Sequence, residues 1–225
     1  MKRRIRAVIF DMDGLMFDTE RLSAMMWKRA GREMGIDVSD AFIGQIRGTN
    51  RRGTEECFRR CYGDACDAAG IRERRGRYVR EYLEKHGVTV KPGLYELLAY
   101  LKENGYGIVL ATSTRREQAM ANLESAGVRR YFDGCVCGDM VERGKPDPEI
   151  FLKAAEIAGH EPAECVVLED SFNGVRAAAA GGFPAVMVPD MDPPTAEILE
   201  KTEACCQSLR QVIPFLEQRE KNRAE

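Results

Sequence analysis

The chain has 225 residues, 44% hydrophobic and 31% charged, with 34 basic and 36 acidic side chains for a net charge of −2. That length can bury a sizeable core, in one large domain or two smaller ones, and the composition is that of a globular protein. The near-neutral balance argues against a general nucleic-acid binder, and no apolar run reaches the ~20 residues of a transmembrane helix.

The N-terminus is basic, but the short apolar run behind it ends in acids and does not read as a signal peptide. That run, Ala7-Val8-Ile9-Phe10, is rich in β-branched types and reads as a buried strand. Asp11 and Asp13 follow at spacing i, i+2, which puts both on one side of an extended segment. Gly14 lets the backbone turn. Alone, such a pair also suits helix capping or a solvated turn. Held close together, two carboxylates repel, and a divalent cation is the usual remedy.

Residues 19–35 carry helical periodicity, with Leu22, Met25, Met26, Trp27, Ala30 and Met34 mostly on one face and Thr19 or Asp18 as cap. Residues 39–47 read as a short helix, Gly48-Thr49-Asn50 as a turn, and 53–61 as a third helix burying Cys57, Phe58 and Cys61. Residues 64–86 read as a fourth, anchored by Ile71, Tyr78, Val79, Tyr82 and Leu83. No strand pattern occurs across 19–86, so 19–89 reads as a helical insert, with 1–18 and 90–225 as its base. The 87–93 stretch, ending Pro92-Gly93, is the return linker. Residues 20–89 hold 15 basic and 11 acidic side chains, a balance of +4; the remainder holds 19 and 25, a balance of −6. A basic lid over an acidic base suits an anionic substrate, although +4 also suits a solvated helical face.

Helix 94–104 leads to a strand at 107–111 that ends in Thr112-Ser113-Thr114. Thr114 and Glu117 have capping-box spacing for a helix running to about Ala126. Cys135-Val136-Cys137 is a third strand, followed by a loop carrying Lys145. Asp147 and Pro148 open a helix whose Ile150, Phe151, Ala154, Ala155 and Ile157 face the core. Residues 165–168 form a fourth strand, again terminated by acids, Glu169 and Asp170. An Ala-rich helix at 174–180, strands at 184–188 and 204–206, a helix at 209–216 and a fraying charged tail complete the chain. The eight cysteines show no C-x-x-C spacing. Cys57 and Cys61, one turn apart, could form a ligand pair; otherwise the cysteines read as small buried hydrophobes of a reducing cytoplasm.

Strands alternating with helices imply an α/β fold with a parallel, Rossmann-like sheet, whose ligands bind beyond the strands' carboxyl ends. Asp11, Asp13, Thr112, Glu169 and Asp170 all fall there, with Lys145 in the loop after the third strand. Clustered carboxylates with one lysine suit Mg²⁺ plus a phosphoryl group.

The ordered stretches Asp11-Met12-Asp13-Gly14, Leu110-Ala111-Thr112-Ser113-Thr114, Gly144-Lys145-Pro146-Asp147-Pro148 and Leu168-Glu169-Asp170-Ser171 resemble the haloacid dehalogenase superfamily, closest to its phosphatase and β-phosphoglucomutase-like branch. The resemblance implies a Mg²⁺-dependent phosphatase acting on a small phosphorylated metabolite, with a mobile helical cap. It implies that Asp11 attacks phosphorus and ligates Mg²⁺, and that Asp13 is the acid and base, its carbonyl reaching the metal. Thr112 and Lys145 would hold the phosphoryl group, and Glu169 and Asp170 the metal. Met12, Gly14 and Ser113 would add phosphate contacts, and Arg51, or equally Arg52, a second anionic contact. Mutase relatives carry a histidine shortly after the hinge, where this chain reads Asp18-Thr19-Glu20-Arg21-Leu22-Ser23. That departure favours a phosphatase over a mutase; loss of Asp11 or Asp13 would have marked a non-catalytic binder. No nucleic-acid or membrane partner is expected, and with no exposed heptad pattern the expectation is a cytoplasmic monomer.

Overall fold

The structure, a computed structural model, describes residues 3–47, 49 and 51–224, with the backbone alone at 223 and 224. Gly48 and Asn50 of the expected turn lie outside the described residues. Six strands form one parallel sheet: β1 (Ala7–Phe10), β2 (Gly107–Thr112), β3 (Gly134–Cys137), β4 (Cys165–Glu169), β5 (Ala185–Met187) and β6 (Ala204–Cys205). Their order is β3-β2-β1-β4-β5-β6. The order reverses at β1, which makes its carboxyl end the crevice of an open α/β sheet. Phe10 is level with Leu110 and with Leu168. Asp11, Ala111 and Glu169 therefore come next, side by side, on one edge.

Helices cover both faces. Val8 and Phe10 point to one layer, packed by Leu97 and Leu101 of α5 (Leu94–Glu103), Leu123 of α6 (Arg116–Ser125) and Leu216 of α10 (Val212–Ala224). Ala7 and Ile9 point to the other, against Phe151 and Ala154 of α7 (Glu149–Ala158) and Ala177 of α8 (Phe172–Ala180). Burial on both sides is why β1 is an unbroken apolar run.

Between β1 and α5 the chain forms four helices: α1 (Thr19–Glu33), α2 (Asp40–Ile46), α3 (Arg51–Tyr62) and α4 (Ala68–His86). They share a separate apolar cluster centred on Trp27, Phe42, Phe58 and Ile71, with Phe42 and Phe58 edge to face at 4.5 Å. Ser39 caps α2 by accepting from Phe42 N–H at 3.2 Å, and Asp67 caps α4 by accepting from Gly70 N–H at 2.9 Å. Two passes of chain join this cluster to the sheet: Asp18 N–H donates to Thr89 O at 2.9 Å, and Lys91 N–H to Met16 O at 2.9 Å.

Several positions depart from expectation. Met25, Tyr82 and Ile157 are exposed: Met25 falls opposite the buried face of α1, Tyr82 lies a turn past Tyr78, the last buried residue of α4, and Ile157 sits at the margin of α7's apolar arc. Cys61 is exposed and all eight cysteines are free thiols. Helix α3 starts at Arg51, two residues early. The 217–224 stretch continues α10 where a fraying tail was expected. Polar Arg219 is buried there, ion-paired with Glu203. A short helix, α9 (Ala196–Glu200), carries no apolar period in the sequence, since Ile198 is its one buried residue.

Thr114 does not cap α6. That helix begins at Arg116, whose N–H donates to Asp139 Oδ1 at 3.0 Å from the loop after β3. A tertiary cap frees the Thr114 hydroxyl for the site.

Candidate active site

Asp11 leaves β1 with its N–H donating to Leu168 O at 3.0 Å, which fixes its backbone at the sheet's centre. The ligand oxygens of Asp11, Glu169 and Asp170 lie within 4.8 Å of one another, all buried. Lys145 reaches in from the loop after β3. Its Nζ donates to Asp11 Oδ1 at 2.5 Å, Glu169 Oε1 at 2.6 Å and Ala111 O at 3.3 Å, and stands 4.8 Å from the Phe151 ring centre. Ser171 N–H and Oγ donate to Glu169 Oε2 at 2.8 and 2.9 Å, fixing that carboxylate's second oxygen.

Three buried acids against one lysine leave an excess of negative charge. Burial raises the Asp11 carboxyl from 3.8 to about 8; Lys145 opposes this and Glu169 and Asp13 add to it. Burial, then Glu169 and Asp11, hold Asp170 well above the usual carboxylate range. Burial opposes the Lys145 charge, yet Asp11 and Glu169 outweigh it and raise its pKa. All-oxygen donors in a site with excess negative charge fit a hard divalent cation and not a thiophilic one.

This crowding predicts a pH-dependent stability. A carboxyl whose folded pKa lies above its unfolded value favours the fold when protonated. For Asp11 that contribution is complete below 3.8 and gone above about 8. Metal-free protein should therefore melt lower at pH 8.5 than at pH 5.5, by about 5–10 °C for a chain of this length. Saturating Mg²⁺ should raise the melting temperature more at pH 8.5 than at pH 5.5. Differential scanning calorimetry in EDTA and in Mg²⁺ checks this; a flat metal-free profile would refute it.

Asp13 is held apart from the trio. Thr19 Oγ1 donates to its Oδ1 at 2.6 Å, Thr114 Oγ1 to its Oδ2 at 2.6 Å, and Thr112 Oγ1 to the same oxygen at 3.4 Å. Thr112 Oγ1 also accepts from Thr114 N–H at 3.1 Å. Thr19 and Thr114 have the local spacing of helix caps; residue type alone does not reveal that they anchor Asp13. Gly14, at φ +87°, sits where a Cβ would overlap Asp170 Oδ2, and a Cβ on Gly174 would overlap Glu169. Both glycines permit close approach of backbone to an acid. Met12 is buried, its carbonyl accepting from Met16 N–H at 2.9 Å. Ser113 is exposed, and its carbonyl packs on Gly138.

The helical cluster meets this edge through Glu20, Arg47 and Arg75, none of which belongs to a sequence motif. Arg47 pairs with Asp192, and its Nε lies 3.9 Å from Glu20 Oε2. Arg75 donates to Ser23 Oγ. Burial raises the Glu20 carboxyl to about 7, with Asp13 adding and Arg75 and Arg47 opposing. Arg21 and Lys91 both pair with the buried side chain of Asp190, at 2.8 and 2.6 Å. A cavity of about 190 Å³ opens in this seam, bounded by Arg47, Asp170, Ser171, Asn173 and Asp192. The Arg51 side chain is 65% exposed and pairs with Glu55 at 2.8 Å, and Arg52 pairs likewise with Glu56 at 2.9 Å. Among the described residues no contact joins either to the acids. The sequence singled out an arginine after a turn, but the folded path brings Arg47 and Arg75 inward instead.

Residues 5–182 match the haloacid dehalogenase-like hydrolases. The chain is 33% identical over 183 residues to the phosphorylated carbohydrates phosphatase of Thermotoga maritima, covering 80% of this chain and 82% of that protein. It is 29% identical over 191 residues to β-phosphoglucomutase of Bacillus subtilis, covering 82% and 83%. The crystal structure of β-phosphoglucomutase from Clostridium difficile shares the fold, with a TM-score of 0.83 at 23% identity over 98% of this chain and 99% of that one. By the extent of the family match and by the Thermotoga relative, the chain belongs to the haloacid dehalogenase-like hydrolase family.

Proposed function

We propose that the chain is a Mg²⁺-dependent phosphatase that hydrolyses a small phosphorylated metabolite, a sugar phosphate, through an aspartyl-phosphate at Asp11. The observation that carries this reading is the pairing of two differently held aspartates. Asp11 lies against Lys145 and two buried acids, while Asp13, two residues on, is gripped by hydroxyls.

Asp11 presents a carboxylate oxygen to phosphorus, and the ester oxygen departs with a proton from Asp13. Asp13 then takes a proton from water as that water attacks the phosphorus of the acyl-phosphate. Inorganic phosphate leaves and Asp11 is restored. Lys145, Thr112, Ser113 and the backbone N–H groups near Met12 and Gly14 would hold the phosphoryl oxygens. Asp11, Asp170 and the Asp13 carbonyl would hold Mg²⁺, with Glu169 direct or through water. When bound, the metal neutralises the acids and the phosphoryl charge. The helical cluster at 19–89 would serve as a cap that excludes water and reads the leaving group, and Arg51 would meet a distal anion.

Asp13 must alternate between acid and base, so its orientation should set the rate. Thr114→Val removes its best-placed donor on Oδ2 while keeping side-chain shape. The expected loss is about 10²-fold in kcat, within the span that acid–base catalysis supplies. KM should stay nearly constant, and steady-state kinetics on any turned-over ester checks this.

A phosphomutase would use the same aspartyl-phosphate and return phosphate to a sugar. The chain has two histidines. His86 ends α4 beside Tyr82, and His160 follows α7 toward the start of β4, away from the acids. Neither follows the Asp18-Thr19 hinge in the chain, where Glu20 to Ser23 stand instead, and that favours water as acceptor. The test is phosphate release from a panel of phosphorylated metabolites, with Mg²⁺ and with EDTA. Mg²⁺-dependent release supports the phosphatase. Conversion of β-glucose 1-phosphate to glucose 6-phosphate without release would make the chain a mutase.

A further inference from the structure

We infer that Glu20, set between Arg47 and Arg75, reads the carbon next to the phosphate ester and selects leaving groups bearing a neutral hydroxyl there; this rests on the phosphatase reading above. Glu20 lies in the first turn of α1, just past the crossing at Asp18. Its Cγ is 3.3 Å from where a Gly14 Cβ would stand, on the same side as Asp170. It therefore flanks the loop that carries Asp13. The charged groups that face it are Asp13, Asp170 and Asp190 from the sheet side and Arg47 and Arg75 from the helical side.

These groups are near one another without being mutually satisfied. The Arg47 Nε to Glu20 Oε2 separation is 3.9 Å, too long for a hydrogen bond. The buried Nε atoms of Arg47 and Arg75 have no hydrogen-bond partner among the described residues. One further nitrogen of each is engaged, Arg47 Nη1 at Asp192 and Arg75 Nη2 at Ser23. The seam thus offers one carboxylate acceptor and two guanidinium donors beside the group that protonates the leaving oxygen. A hydroxyl donates and accepts, so it meets both needs at once. A methyl group meets neither. A carboxylate in the same place offers only acceptors and faces Glu20, Asp13 and Asp170.

Three two-carbon esters isolate this contact: 2-hydroxyethyl phosphate, ethyl phosphate and 2-phosphoglycolate. They differ only in the group beside the ester carbon. Each is compared by kcat/KM at pH 8.5, above the value of about 7 to which burial raises Glu20. An ester that is not turned over is compared by its inhibition constant against a sugar phosphate that is. The hydroxyl ester should lead ethyl phosphate and 2-phosphoglycolate by about tenfold or more, the discrimination expected when buried polar groups are left unpaired.

Glu20→Gln removes the negative charge at constant shape and should narrow the gap between hydroxyl and carboxylate esters about tenfold. Arg47→Met removes the counter-ion and should widen that gap. Opposite movements of one ratio separate a reading role from simple loss of folding. Equal handling of 2-phosphoglycolate and 2-hydroxyethyl phosphate by the unaltered enzyme, or an unmoved ratio in Glu20→Gln, overturns the assignment while phosphate release stands. Absence of release from every ester, sugar phosphates included, overturns both readings.

Discussion

Asp11→Asn should abolish phosphate release, with kcat falling on the order of 10⁴-fold or more, as expected when a covalent nucleophile is lost. An amide is nearly isosteric with the carboxylate but cannot attack phosphorus. Its oxygen can still accept from Lys145, so the loop after β3 keeps its anchor. The stability effect runs the other way. Asp11 is buried against Glu169 and Asp13, which push its carboxyl in the same direction as burial does, to about 8. Removing that charge relieves like-charge repulsion, so metal-free Asp11→Asn should melt above the unaltered protein at pH 8.5. Its Mg²⁺ response should shrink, because one carboxylate of the trio is gone. An inactive protein that is more stable without metal and less responsive to it cannot be explained by misfolding. Scanning calorimetry beside the phosphate-release assay reads both. Residual turnover within tenfold of the unaltered enzyme would remove Asp11 from the nucleophile's role.

The sheet was legible because strands buried on both faces are apolar throughout, and because acids ending such a run are conspicuous. Asp11, Glu169 and Asp170 could be placed on one edge because each follows a strand of a parallel sheet, and Lys145 because its loop follows the third strand. Hydroxyl assignments were not legible. Thr19 and Thr114 have the local spacing of helix caps, and only tertiary structure shows that Asp139 supplies the second cap while both threonines grip Asp13. The inserted helices were legible as helices, yet not in their facing. Their basic excess is partly consumed in exposed i, i+4 pairs such as Arg29 with Glu33 and Arg51 with Glu55. The arginines that meet the site, Arg47 and Arg75, carry no local mark, since their role depends on how α2 and α4 lean over the sheet. Arg219 shows the same limit in the core: a charged residue is assumed solvated until its partner, here Glu203, is seen.

Lys145→Met should be the most destabilising single change at the site. The side chain is 2% exposed, and its Nζ is the shared donor to Asp11 and Glu169. Methionine keeps the stem's approximate volume, so the effect isolates charge. Two buried carboxylates lose their cation, and breaking such a pair costs about 3–5 kcal/mol. For a chain of this size that lowers the melting temperature by roughly 6–20 °C. The deficit should be larger at pH 8.5 than at pH 5.5, because lower pH lets the orphaned acids protonate. Mg²⁺ should recover part of it by replacing the missing charge. Activity should not recover in step, since a metal on the acids does not restore a donor aimed at the phosphoryl oxygens; a loss of about 10²–10³-fold in kcat should persist at saturating Mg²⁺. Lys145→Arg is not a rescue: a planar guanidinium is too broad for a space that is closed by Phe151 and Ala111. A melting temperature unchanged at both pH values would mean that the acids do not depend on Lys145 for charge. The cation's place in the site would then be confined to catalysis.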